Sequence, residues 1–489
     1  MSKHCILQHP IDILLGNRAC FVLCMTLLSL HNERSHLQAL VQLGYPLLRD
    51  DVERKGKWLQ SFVERTFERF LDCGDVRNGF AWLKFMHCDS SHKVIPFSCG
   101  TRGFCPTCGG RAMVSQSMRW VDDVFPTVPV RQWVITVPWG RRWLFARHHN
   151  LARGVFKIGV HTIFARYRRW AKKRGYANIQ CGSVSVVQRF GSALNLNVHL
   201  HALMMDGVYA THPKQGRGLH FVRVPAPSTE EVGVLVAKIA RKSERWLSKQ
   251  GYETNEDWDV EASDALPLFQ EASIAGRAAT GSRRGMKVRR VQKFAGREFQ
   301  LPKRCASVGG YNLHGGVQVS AKNRKGLEAL CRYIARPPLA KSRLVSDGEG
   351  EYRILLKTPW SDGTSSIRVG LLELMERLAA IIPQPRTHQF LYHGVFANNA
   401  KYRKEILPKY RRVRSKPKWK KLSRKDGIKS RHVAWAQLLW GSFGVMGFVC
   451  QHCGCLMRLR AVAIYPPATT KILRGLGVNL HSLGFTGSP

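Results

Sequence analysis

Two imidazoles separated by a single residue, His199 and His201, lie in the apolar run from Ala193 to Tyr209. In an extended chain alternate side chains share a face, so this pair could grip one divalent cation while Val198 and Leu200 pack into a core. A cation held there would polarise a phosphodiester, and one further polar ligand would complete its site. The candidates for that ligand are Gln188 on the preceding strand, Asp206 five residues beyond His201, and His314. The bland alternative is a pair of half-buried, hydrogen-bonded histidines.

A second constellation comprises Cys88, His92, Cys99, Cys105 and Cys108. Cys105-Pro106-Thr107-Cys108 is a knuckle whose turn brings two thiolates to one tetrahedral zinc, and its partner pair must come from upstream. Ser91 stands where a second upstream cysteine is usual, so His92, Cys99 or Cys73 has to supply the fourth ligand. A further knuckle-like stretch, Cys450 to Cys455, has no evident partner pair. The third element is a helix over Lys325 to Arg336. Leu327, Leu330, Cys331 and Ile334 form its buried stripe, and Tyr333 lies off the edge with Arg336 one turn on. That phenol could face a cleft, although amphipathic packing is the commoner role for such a tyrosine.

The chain has to hold these groups and meet a strongly anionic partner. Its 77 Lys and Arg outnumber 33 Asp and Glu, a net charge of +44, far beyond what solubility needs. Nucleic acid is the commonest such partner, because neutralising phosphates releases counterions; an anionic membrane is the alternative. With 489 residues and 44% apolar content, two to four folded domains are expected. Cysteines paired at a spacing of three positions point to metal ligation in a reducing, cytosolic compartment. Ala19 to Leu30 resembles a signal-peptide core but lacks a small-residue cleavage site and is too short to span a membrane.

Periodicity places the groups. Helical spacing from Trp58 to Leu71 leads into the cysteine block, and Gln132 to Val137 reads as a strand closed by Pro138. Leu151 to Arg174 is a long basic helix, and Ser183 to Gln188 with Leu194 to Met205 form a hairpin carrying the histidines. A loop over 211–225, a helix from Thr229 to Gln250, and a polar stretch to Arg304 with a basic loop at 281–290 follow. Then come a strand from Tyr311 to Ser320, the tyrosine helix ended by Pro337-Pro338, a hairpin at Tyr352 to Thr358 and a helix from Leu371 to Ile381. Lys401 to Arg431 holds 15 Lys or Arg against two acids, with Tyr402, Tyr410 and Trp419 interleaved as in segments that track a nucleic-acid strand.

The order of zinc knuckle, Trp133 to Pro138 strand, His-Leu-His strand and Cys331-Arg332-Tyr333-Ile334-Ala335-Arg336-Pro337-Pro338 resembles the rolling-circle transposases of the insertion-sequence-91 family. Arg102-Gly103-Phe104-Cys105-Pro106, the run Gln188 to Asn197, and Tyr392-His393-Gly394-Val395 carry the likeness further. The resemblance implies an α+β protein whose antiparallel sheet forms an endonuclease core of the His-hydrophobic-His type. It implies Mg or Mn at His199 and His201, with Gln188 a candidate for the further ligand, and structural zinc at the cysteine cluster. Tyr333 would be the nucleophile, leaving a 5′-phosphotyrosine and a free 3′-hydroxyl. Apart from the resemblance, Arg336, one turn from Tyr333, and second to it Arg332, could hold the phosphate or lower the phenol pKa. Ala329 occupies the position where some members carry another tyrosine, which indicates the single-tyrosine branch.

The implied division is an N-terminal helical extension at 1–59, a zinc-binding DNA-recognition domain at 60–125, a catalytic domain at 130–345 and a basic C-terminal region at 346–489. The implied partners are single-stranded transposon ends and target DNA in a bacterial cytoplasm, at the nucleoid, with no membrane. ATP is not expected, as the chain lacks a phosphate-cradling Gly-rich loop followed by Lys-Ser or Lys-Thr. Two rivals use fewer of the residues: a non-enzymatic zinc-dependent DNA-binding protein, and a metal-dependent nuclease that employs water.

Overall fold

The computed structural model describes residues 35–85, 92–216, 218–253, 263–293, 295–296, 302–408, 457–464, 466–478 and 480. These described residues divide into two compact units, one comprising those within 35–39, 68–100 and 457–480, the other those within 40–67 and 101–408. Helices and antiparallel sheets are mixed throughout, so the architecture is α+β.

In the first unit the strand Phe80–Phe85 is flanked by His92–Pro96 on one side and Met457–Ala463 on the other, both antiparallel. Phe80, Val94 and Ala463 share a small core with Val76, Leu473 and Val478. The helix Pro466–Gly475 contributes Leu473 to it.

The second unit is organised by a seven-stranded antiparallel sheet. At its centre is the histidine strand Leu196–Met205, between Val130–Thr136 and Gly182–Phe190. Tyr311–His314 and then Cys305–Val308 extend the sheet one way, and the edge strand Phe390–Gly394 extends it the other. Alternation divides the side chains between two faces. Trp133, Ile135, Val198, Leu200, Ala202 and Leu313 enter the larger core, against the long helices His149–Lys172 and Thr229–Lys249. Val130, Val184, Val186, Leu203 and Met205 enter the smaller one, with Leu327, Cys331 and Ile334 of the tyrosine helix Arg324–Ala335. His199 and His201 are on this second face, the one the tyrosine helix covers.

Two glycines permit close approaches. Gly394 ends the edge strand at φ +61°, and a Cβ there would meet the Cys181 carbonyl oxygen at 2.0 Å. A Cβ on Gly109, in the helix Pro106–Arg119 that begins at the cysteine knuckle, would meet Cβ of Pro337 at 2.6 Å.

Several elements differ from the sequence-based expectation. The strand expected over Tyr311 to Ser320 is two short ones, Tyr311–His314 and Gln318–Val319, broken at Gly315-Gly316; both pair with Val130–Thr136. The loop expected at 211–225 contains the strand His220–Arg223, which pairs with Gly207–Thr211. Within the stretch read as polar lies the helix Leu266–Ala275, started by Asp264 accepting from the Leu266 amide at 2.9 Å and stopped by left-handed Gly276. The expected hairpin at 352–358 is part of a four-stranded sheet in which Glu351–Leu355 lies between Leu344–Ser346 and Thr364–Gly370.

Asp206, a candidate metal ligand by sequence, has another task. Its carboxylate accepts both Nε and Nη2 of Arg131, at 2.7 and 2.9 Å, and both side chains are 1% exposed. The Tyr167 hydroxyl approaches it at 3.4 Å, and the third arm of Arg131 reaches the Gly315 carbonyl at 2.8 Å. Burial and this carboxylate push the Tyr167 phenol above its usual range. Replacing Asp206 by Ala strands a buried guanidinium, and we expect a loss of about 3–5 kcal/mol in denaturant unfolding. An unchanged midpoint would mean that the ion pair is dispensable.

Candidate active site

The histidine strand sets both imidazoles by register: His199 lies opposite Thr136 and Gln188, and His201 opposite Val134 and Val186. Their Nε2 atoms are 3.1 Å apart and their ring planes meet at 69°. Each Nδ1 is engaged elsewhere. That of His199 donates to the Asn197 carbonyl at 2.9 Å, and that of His201 meets the Gln132 amide at 2.7 Å. With the Gln132 amide turned so that its oxygen accepts, both Nε2 lone pairs are left facing one point. Burial holds both rings neutral: the His199 pKa is lowered to about 4, and that of His201 goes well below its usual value, with His199 and Arg336 adding to the effect.

Gln188 is 3% exposed and sits directly across from His199. Its Nε2 donates to the Ile334 carbonyl at 2.7 Å, satisfying one of the orphan acceptors at the end of the tyrosine helix. Its Oε1 is buried with no partner. Two converging imidazole nitrogens and one idle amide oxygen form a donor set that suits a divalent cation. His314 lies on the same face but opposite Val134, so a whole strand separates it from His201.

Pro337 cannot continue the helix, which ends with Arg336 extended at ψ 150°. Leu327, Cys331 and Ile334 are buried as the wheel requires, while Leu330 and Tyr333 are half-buried. Tyr333 therefore flanks the packed stripe and presents its ring edge-on to His201, centroids 5.7 Å apart at 85°. Two cations lie over that ring: the Arg336 guanidinium at 4.6 Å and the Lys357 ammonium at 4.2 Å. Arg336 also covers Phe190 at 5.8 Å. Burial, with Arg336 and Arg343 nearby, lowers the Lys357 pKa. Arg332, by contrast, is tied to Glu328 one turn back at 2.6 Å. The sequence reading missed Lys357; it comes from a separate strand region after the Pro-Pro stop, and no local pattern marks it.

The sulfur chemistry lies in the cysteine block. Sγ atoms of Cys73, Cys99, Cys105 and Cys108 all lie within 4.8 Å of one another. Cys105 is the N-cap of the helix Pro106–Arg119, its sulfur accepting from the Cys108 amide at 3.4 Å; the Cys99 amide likewise reaches the Cys73 sulfur at 3.3 Å. Arg111 Nη2 stands 3.6 Å from the Cys108 sulfur. Amide donors and a guanidinium favour thiolates, and four thiolates suit tetrahedral zinc. Cys73 thus stands in the set that the sequence reading left open. Cys88 lies outside the described residues, and of His92 only the backbone strand is described. The stretch Cys450 to Cys455, and the basic run beyond Pro408, also lie outside them.

Comparison with known families agrees with this arrangement. Residues 48–137 match the model described as "Transposase zinc-binding domain", and residues 182–404 the model described as "Putative transposase". No curated protein and no solved structure matches the chain. Its class is thus that of zinc-containing, DNA-processing enzymes. The chain belongs to the transposases of the insertion-sequence-91 type, with the zinc-binding domain first and the transposase domain after it. No helix among the described residues is long and apolar enough to cross a membrane.

Proposed function

We propose that this chain is a rolling-circle transposase of the single-tyrosine kind, cutting and rejoining one DNA strand at transposon ends and target, in the bacterial cytoplasm at the nucleoid. The observation that carries the proposal is the placement of Tyr333 5.7 Å, ring to ring, from His201, itself paired through Nε2 with His199. Mg or Mn held by His199, His201 and Gln188 would supply Lewis-acid stabilisation of the charge that develops on the scissile phosphate.

The remaining chemistry belongs to the chain. The Tyr333 oxygen attacks phosphorus and loses its proton, a new oxygen–phosphorus bond forms, and the bond to the 3′-oxygen breaks. That oxygen takes up a proton and leaves as a 3′-hydroxyl, while the 5′-phosphate stays on the tyrosine. Arg336 and Lys357, both over the Tyr333 ring, would neutralise the phosphoryl oxygens. The energy of the broken bond is kept in the adduct, so a second strand end can displace the tyrosine without ATP. Incubation of the full chain with a labelled single strand and Mn tests this: an adduct that survives denaturation is expected, and cleavage without one would point instead to water as nucleophile.

Gln188 offers a separate check. As a ligand it should lower Mn affinity by at least about tenfold when replaced by Ala, with Gln188→Glu restoring it, in a direct binding titration. If Gln188→Ala binds Mn as the parent chain does, the residue is only a clasp on the tyrosine helix.

A further inference from the structure

Arg189 follows Gln188 and faces the other side of the sheet, at the shift in register between Gln188 and Phe190. It is 8% exposed. Nη1 donates to the Ala146 carbonyl at 2.9 Å, whereas Nε and Nη2 are buried without partners. Among the described residues no carboxylate accompanies it, and burial alone brings its pKa down to about 10. An isolated buried charge of this kind is costly in general, so a fold that retains one has left room for a counter-charge.

The room is visible. Arg189 lines a small pocket, open on one side, together with His149, Arg153, Gln384 and His388. His149 is the first residue of the 24-residue helix His149–Lys172, whose N-terminus has neither a side-chain cap nor an acid in its first turn. A buried guanidinium with two unpaired donors, an uncompensated helix N-terminus and further basic side chains therefore border one pocket, and each favours an oxyanion.

We propose that this pocket binds a backbone phosphate of the DNA strand, with Arg189 as its principal ligand, as an anchor on the sheet face opposite Tyr333. Size favours a chain phosphate over a free one. The volume is about 30 Å³, room for one or two oxygen-sized atoms, so the pocket admits a phosphate's oxygens and leaves the rest of the group outside. Exposed Lys157, His161 and Arg168 follow Arg153 along the same helix and would continue the contact. The proposal rests on the transposase reading but is independent of the tyrosine chemistry.

The test uses the full chain in a Tyr333→Phe background, where no adduct forms, with an oligothymidylate of about 30 nucleotides as probe. Arg189→Met should weaken binding roughly tenfold. It should also reduce the slope of log affinity against log salt by about 0.7. Its melting temperature without DNA should be unchanged or raised, since an unpaired buried charge is gone. Arg153→Gln, at an exposed position, should weaken binding in the same direction and carries the test if Arg189→Met does not fold. Unchanged affinity and slope in both variants would overturn the proposal. So would stabilisation by inorganic phosphate that depends on Arg189 while DNA affinity does not, which would make the pocket one for the free anion. An absent adduct in the parent chain would count against the tyrosine reading and leave this one standing.

Discussion

Tyr333→Phe should abolish the covalent DNA adduct and lower strand cleavage by about 10⁴-fold or more, while the protein still folds and binds DNA. The substitution removes one oxygen and little else. The ring keeps its edge-on contact with His201 and its place beneath Arg336 and Lys357, so stability should move by less than about 1 kcal/mol. Whatever changes then reports on the hydroxyl. A denaturing gel with labelled single strand and Mn reads the adduct, and anisotropy reads binding. Three results would each sink the nucleophile assignment in a recognisable way. An adduct that persists would mean another residue attacks; cleavage that persists without an adduct would mean water does; binding with no cleavage in either the parent or the variant would leave only a DNA-binding protein.

Cys105→Ser should release the zinc. Structural zinc sites contribute on the order of 10–16 kcal/mol of apparent binding energy, so losing one thiolate of four is expected to disorder the knuckle. Serine is a suitable control because it is itself a favoured N-cap, so the start of the helix Pro106–Arg119 keeps its hydrogen bond while the metal ligand is lost. Zinc content per chain, measured by atomic absorption, should fall from about one to near zero, and proteolysis around Arg111 should accelerate. Cleavage should fall too, because Gly109 in this helix packs directly on Pro337, next to Arg336. Full zinc content in Cys105→Ser would show that the four clustered thiols are not the site.

Parts of this arrangement were legible in the residues and others were not, for physical reasons. The histidine pair could be read because a strand has a period of two, and the apolar Val198 and Leu200 between and before the imidazoles mark which face is core. The knuckle Cys105 to Cys108 could be read because a tetrahedral ion needs a tight turn. Cys73 could not be singled out, since it reaches the cluster from 26 residues before Cys99 and pairs with it by fold, not by spacing. Helical periodicity placed Tyr333 at the edge of its stripe, but only resemblance suggested a role for it. The carboxylate of Asp206 looked like a ligand because its partner Arg131 lies 75 positions away on the neighbouring strand. The break at Gly315-Gly316 was hidden by the apolar residues on either side of it.

The three-stranded sheet of the first unit has a consequence for how the chain matures. Phe80–Phe85 must wait for Met457–Ala463, so its second edge stays unsatisfied until the ribosome has made some 370 more residues, roughly 20 to 75 seconds at ordinary elongation rates. Throughout that interval a nascent chain carries an open strand edge beside sequence that is already able to collapse. A transcript cut short between residues 395 and 456 would yield a polypeptide with its seven-stranded sheet encoded in full and this smaller one unfinished.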